Sequence, residues 1–305
     1  MNDLSNNRLV ETFRQLRGEG RKALLPFLTA GFPDLETTEA LLHEFARRGV
    51  RICELGIPFS DPIADGPVIQ ASYTHALEAG VTCEKIFQMV RRFRRSEGNR
   101  PSVPASRRSR VNPAPSGTAP NPKSEIRNPQ LALSAMVTYT IVFRHGVKAF
   151  LAAAARAGFD GMIVPDLPLE EAADFEALTA AEGLANVMLI APTTPAARRL
   201  EIARHSRGFI YFVSVAGVTG ERGRLPQSTI DAVAELRRHT DTPVCVGFGI
   251  TRPQTVGQVC RVADGAIVGS AIVRRIADLA AVRTPRKTLV AKVGDFVEEL
   301  LQPLR

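Results

Sequence analysis

The 305-residue chain is 45 % hydrophobic, enough apolar material for a sizeable core, which excludes wholesale disorder. Its length exceeds an ordinary domain but suits one α/β barrel, which typically takes about 250 residues. The formal charge of +8 invites a nucleic-acid reading. That charge is local: residues 91–130 hold ten Lys and Arg against two acids, Glu97 and Glu125, so the rest of the chain is formally neutral.

The N-terminal residues carry no apolar signal core, and nowhere do 18 consecutive apolar residues occur. The expectation is a cytoplasmic protein with no membrane partner. Short runs of Val, Ile, Leu, Phe and Ala follow, at 24–31, 52–57, 131–139, 161–166, 186–192, 208–214, 243–250 and 266–270. They are continuous rather than alternating, as in strands covered on both faces. Amphipathic stretches lie between them, including 35–48, 148–157, 169–182, 196–205 and 228–239. Eight strands separated by helices favour a closed (β/α)8 TIM barrel in a single domain, 1–305, with an open doubly wound sheet as the alternative. One segment breaks the rhythm before the third strand. Residues 97–129 are rich in Pro, Ser, Asn and Arg and nearly devoid of large apolar side chains, so a disordered low-complexity insertion is expected there.

Four cysteines, Cys53, Cys83, Cys245 and Cys260, are widely spaced, and the five histidines show no metal-ligand spacing. No metal site is expected. The most informative stretch runs Cys53-Glu54-Leu55-Gly56-Ile57-Pro58-Phe59-Ser60-Asp61-Pro62-Ile63-Ala64-Asp65-Gly66-Pro67. Glu54 falls near the C-terminal end of an apolar strand, which in a parallel barrel is the active-site rim. A carboxyl there is partly desolvated and its pKa rises toward that of a working acid or base. Asp65 follows in a loop stiffened by three prolines. Two carboxyls in different surroundings are a recurrent acid/base arrangement. The alternative is that Glu54 pairs with a neighbouring base and Asp65 is a turn or N-cap residue. Glycine clusters at 214–220, 247–251 and 268–271 close the sixth, seventh and eighth strands. They fit backbone N–H groups approaching a phosphate, or else ordinary tight turns.

These residues carry a resemblance. The run from Cys53 to Pro67, with PFLTAGFP at 26–33, VPDLP at 164–168, SVAGVTG at 214–220, GFGI at 247–250 and GSAIV at 269–273, resembles the tryptophan synthase alpha chain family. It covers nearly the whole chain outside the insertion, in the same order. The resemblance implies a barrel lyase that cleaves indole-3-glycerol phosphate to indole and glyceraldehyde 3-phosphate, a retro-aldol reaction. Glu54 matches the family's catalytic acid/base and Asp65 the carboxylate that accepts the indole N–H. Thr219, Gly220, Phe248, Gly249, Gly269 and Ser270 match the phosphate-holding positions. Phe27, Asp166 and Tyr211 fall at pocket-lining positions, for which plain core or rim packing is the alternative. The resemblance further implies a beta chain partner in an alpha2beta2 tetramer, which receives the indole and carries pyridoxal phosphate, with no cofactor on this chain. Residues 216–227, long, polar and glycine-bearing, fit a substrate-covering lid.

Two departures stand out. Where the family commonly shows tyrosine, asparagine and proline after the third strand, this chain reads Thr138-Tyr139-Thr140-Ile141. The other is the insertion, whose place before a strand assigns it to the barrel face opposite the active site. It lacks aromatics for stacking on single strands, so no nucleic-acid partner is expected.

Overall fold

The computed structural model describes residues 4–62, 65–98, 130–213, 225–247 and 249–305. Nine strand segments form one parallel sheet: β1 (Ala23–Thr29), β2 (Ile52–Gly56), β3 (Ala132–Met136), β4 (Gly161–Ile163), β5 (Ala185–Val187), β6 (Leu189–Ile190), β7 (Ile210–Val213), β8 (Val244–Gly247) and β9 (Gly265–Val268). Their spatial order is β5-β4-β3-β2-β1-β9-β8-β7-β6. The two ends of that order, β5 and β6, are consecutive pieces of one strand parted at Met188, so the sheet closes on itself. The break leaves no stranded backbone: Met188 O accepts from Tyr211 N at 3.0 Å, and Met188 N donates to Ser206 Oγ at 3.1 Å. A closed TIM barrel results, not the open alternative.

The barrel carries α1 (Arg8–Gly18), α2 (Leu35–Arg48), α3 (Pro67–Glu78), α4 (Cys83–Gly98), α5 (Tyr139–Arg144), α6 (Val147–Ala157), α7 (Ala172–Ala181), α8 (Ala196–His205), α9 (Gln227–His239), α10 (Pro253–Val262), α11 (Ser270–Ala281) and α12 (Arg286–Leu301). No described helix is long and apolar enough to cross a membrane. Because strand side chains alternate, each strand feeds two cores. Leu24, Leu28, Cys53 and Leu55 face outward into the helix layer. Ala23, Leu25, Ile52, Ala132, Ile163, Val187 and Tyr211 face inward and pack with Leu9, Phe13 and Leu16 of α1, which plugs the N-terminal end of the barrel. Burial on both faces is why the strands read as unbroken apolar runs.

The N-terminal end is tied by ion pairs. Asp160 accepts from Arg8 Nη1, Arg94 Nη2 and Leu133 N, each at 2.8 Å. Asp264 accepts from Lys22 Nζ at 3.1 Å and from Arg237 Nη2 and Val244 N at 3.0 Å. The expected insertion starts later than its composition suggests. Glu97 belongs to the last turn of α4, where its Oε1 accepts from Leu131 N at 3.1 Å, while Arg94 Nη1 bonds Leu131 O at 2.6 Å. The chain therefore leaves α4 and enters β3 at one place. Residues 99–129 lie outside the described residues. The third strand also ends earlier than expected, at Met136, and Tyr139 opens α5 instead. Its start is held from the next loop, where the Asp166 carboxylate accepts from Thr138 Oγ1 at 2.5 Å and Tyr139 N at 2.8 Å.

Candidate active site

Alternation along β2 turns Ile52, Glu54 and Gly56 toward the barrel axis, so Glu54 sits one layer above the apolar plug. Its register partners are Phe27 on β1 and Ser134 on β3. Glu54 is 0 % exposed, and neither carboxyl oxygen has a hydrogen-bond partner among the described residues. Burial pushes its pKa well above the usual carboxyl range, with no opposing cation among the described residues. Burial therefore favours its neutral, protonated form over the carboxylate.

Asp65 follows in the loop after β2. Burial raises its carboxyl to about 6. Its backbone is held from both sides: Asp65 N donates to Pro62 O at 3.0 Å, and Gln70 Nε2 of α3 donates to Asp65 O at 2.8 Å. Residues 63 and 64 lie outside the described residues. Tyr73 of α3 and Tyr211 of β7 complete the neighbourhood. Each phenol is pushed up first by burial and then by the negative charges of Glu54 and Asp65, which places all four groups within electrostatic reach of one another. One buried neutral acid beside a carboxyl that ionises near pH 6 can give a proton to an apolar substrate and stabilise a positive charge on it.

The aromatic walls depend on missing side chains. A Cβ on Gly56 would lie 2.4 Å from Phe27 Cζ and 2.7 Å from the Tyr73 hydroxyl; one on Gly247 would lie 2.6 Å from the Tyr211 hydroxyl. Only glycine lets these rings lie against the barrel rim. Phe27 packs with Ile69, Tyr73 and Val273, and Gly269 abuts it, its ideal Cβ position 3.5 Å from Phe27 Cβ. Gly269 and Ser270 open α11, whose N-terminus has no side-chain cap and leaves backbone N–H groups for an anion. Gly249 is exposed with φ +72°, the left-handed conformation a glycine favours.

Of the residues singled out in the sequence, Glu54, Asp65, Phe27, Tyr211 and Gly269 thus gather at the C-terminal ends of the strands. Asp166 lies at the same rim but is exposed and spends its carboxylate on the start of α5. Thr219, Gly220 and Phe248 lie outside the described residues, as do residues 216–224 of the expected lid. Tyr73 and Ser134 were not singled out. A lone hydroxyl in the otherwise apolar run Ala132–Met136 is the signal that marks Ser134. Among the described residues, no group of three or more His, Cys, Asp or Glu is placed to hold a metal. Cys53, Cys245 and Cys260 are free and buried, as small core residues are.

The family profile described as "Tryptophan synthase alpha chain" matches residues 13–106 and 123–301. A protein named tryptophan synthase alpha chain from Rhodopirellula baltica is 41 % identical over 301 residues, spanning 97 % of this chain and 98 % of that protein. Among solved structures, the tryptophan synthase alpha chain of Legionella pneumophila superposes with a TM-score of 0.78 at 29 % identity, covering 98 % of this chain and 97 % of that one. A chain of tryptophan synthase from M. tuberculosis, in an aminoacrylate-bound form, gives a TM-score of 0.74 at 27 % identity, with coverage of 98 % and 100 %.

Proposed function

The chain belongs to the tryptophan synthase alpha chain family, which are aldol-type lyases, and we propose that Glu54 and Asp65 carry its reaction. That reaction is the retro-aldol cleavage of indole-3-glycerol phosphate to indole and glyceraldehyde 3-phosphate. The observation that supports these roles most is the Glu54 carboxyl, wholly buried and unpartnered at the substrate end of the barrel.

The neutral Glu54 acid gives its proton to C3 of the indole ring, and the positive charge that results is shared with the ring nitrogen. Asp65, as carboxylate, accepts the ring N–H and stabilises that charge. The Glu54 carboxylate then takes the proton of the side-chain hydroxyl next to C3. As that oxygen becomes an aldehyde carbonyl, the carbon–carbon bond breaks and its electron pair neutralises the ring. Indole and glyceraldehyde 3-phosphate leave, and Glu54 is again an acid. One group thus serves first as acid and then as base, which requires a high pKa at rest.

Phe27 and Tyr211 wall the indole, with Asp166 at the rim. Gly249, Gly269 and Ser270, with Thr219, Gly220 and Phe248, hold the phosphate, the α11 N-terminus supplying N–H groups and a favourable dipole. The partner is a beta chain in an alpha2beta2 tetramer, which holds pyridoxal phosphate and consumes the indole; this chain needs no cofactor of its own. The protein works in the cytoplasm as one domain.

The test is release of indole from indole-3-glycerol phosphate, with and without a beta chain. Wild type turns over in both conditions. Glu54→Gln loses about 10³-fold or more in kcat, and a variant working at near wild-type rate refutes the assignment.

A further inference from the structure

Buried polar atoms almost always have hydrogen-bond partners, so exceptions ask for a reason. Among the described residues, the unpartnered buried side chains include Glu54, through both carboxyl oxygens, and Ser134, through its hydroxyl. The two are register partners on β2 and β3, and both are 0 % exposed. Ile52 and Ala132, two residues earlier on each strand, lie together in the barrel interior, so Glu54 and Ser134 share that inner face. Adjacent strands stand roughly 4.8 Å apart, which puts a hydroxyl and a carboxyl within one side-chain rotation of each other. On its other side Ser134 faces Gly161, where an added Cβ would meet Ser134 Oγ at 3.1 Å. The hydroxyl rests in the space that this glycine leaves open.

We propose that Ser134 is a positioning residue for Glu54, its hydroxyl turning to donate a hydrogen bond to the carboxylate after that group has given up its proton. The inference rests on the reading of Glu54 as the acid. A neutral carboxyl survives burial without a donor, but the carboxylate left after proton transfer does not do so cheaply. Among the described residues the groups facing it offer no cation. Asp65 lies in the loop above, Tyr73 on α3, Tyr211 on β7 and Cys245 on β8, with Cys53 beside it on β2; burial raises every one of these, and burial alone acts on Glu54. Ser134 is the register neighbour with a hydroxyl that no other group engages. Held there, the carboxylate is oriented for the hydroxyl proton that it must collect next.

Ser134→Ala tests this, assayed on indole-3-glycerol phosphate with the beta chain present. The substitution deletes a hydroxyl that has no partner, so the variant folds with a melting temperature at or above wild type. Its kcat falls about tenfold with KM within twofold, as expected for a lost hydrogen bond to a charged group. The basic limb of the kcat–pH profile, set by ionisation of Glu54 in the complex, moves up by about one unit, because the charged form has lost its donor. Ser134→Gly removes the same hydroxyl and carries the same expectations if the alanine variant does not fold. A kcat within twofold of wild type, or a lower kcat with the limb unmoved, overturns the proposal. A working Glu54→Gln enzyme overturns instead the assignment beneath it, so the two failures are told apart.

Discussion

The two ends of the barrel hold carboxyls in opposite surroundings. At the N-terminal end two acids beside the strands are matched: Asp160 takes two arginines and a backbone N–H, and Asp264 takes Lys22, Arg237 and another backbone N–H. Burial pulls the Asp264 carboxyl up, but the Val244 N–H, Lys22 and Arg237 outweigh it and hold the pKa below the usual value. At the C-terminal end, Glu54 has no partner and Asp65 is raised to about 6. Stability and chemistry are thus placed at opposite ends of the barrel. Matched carboxylates tie the strands together, and burial without a partner holds the Glu54 carboxyl toward its protonated form at the rim.

That contrast can be broken from either end. The largest effect belongs to Asp160→Ala, which strands Arg8 and Arg94 and costs about 3 kcal/mol or more of unfolding free energy. Denaturant unfolding measures it, and the folded fraction should keep kcat within twofold. At the other end Asp65→Asn lowers kcat about 100-fold with stability unchanged or slightly higher, read from steady-state rates beside a melting curve. The pH dependence follows from the same carboxyl. If Asp65 holds the ring N–H as a carboxylate, kcat/KM should fall as pH drops below about 6, and that limb should be missing in Asp65→Asn. The smallest effect is expected from excising residues 98–128. Glu97 and Leu131 are already hydrogen-bonded, so the gap is short, and turnover should stay within twofold while isoelectric focusing shows most of the positive charge gone.

Much of this was legible from the sequence, and the gaps have physical reasons. The helices Leu35–Arg48 and Ala196–His205 coincide with their apolar periodicity, and Asp34 caps the first by accepting from Thr37 N at 2.6 Å. Glu54 and Asp65 were marked by their place at a strand end and in a stiff loop. The end of β3 was not legible, because Tyr139, Ile141 and Val142 suit a strand by local preference. The Asp166 carboxylate, 27 residues away from Tyr139, makes that stretch a helix instead. The break at Met188 was hidden for a similar reason, since it depends on Ser206 and Tyr211. Ser134 escaped notice because only strand register sets it beside Glu54, and register is a long-range property.

Burial of the Glu54 carboxyl without a partner among the described residues makes stability depend on pH. A carboxyl whose folded pKa is raised favours the folded state below its unfolded pKa and gives up that contribution as pH rises toward the folded value. Unfolding free energies of wild type and Glu54→Gln, measured by denaturant from pH 4 to pH 9, should therefore diverge. The variant should gain on wild type steadily above about pH 4.5. A wild-type protein that instead gains on the variant over that range would show a paired, ionised Glu54 and contradict it.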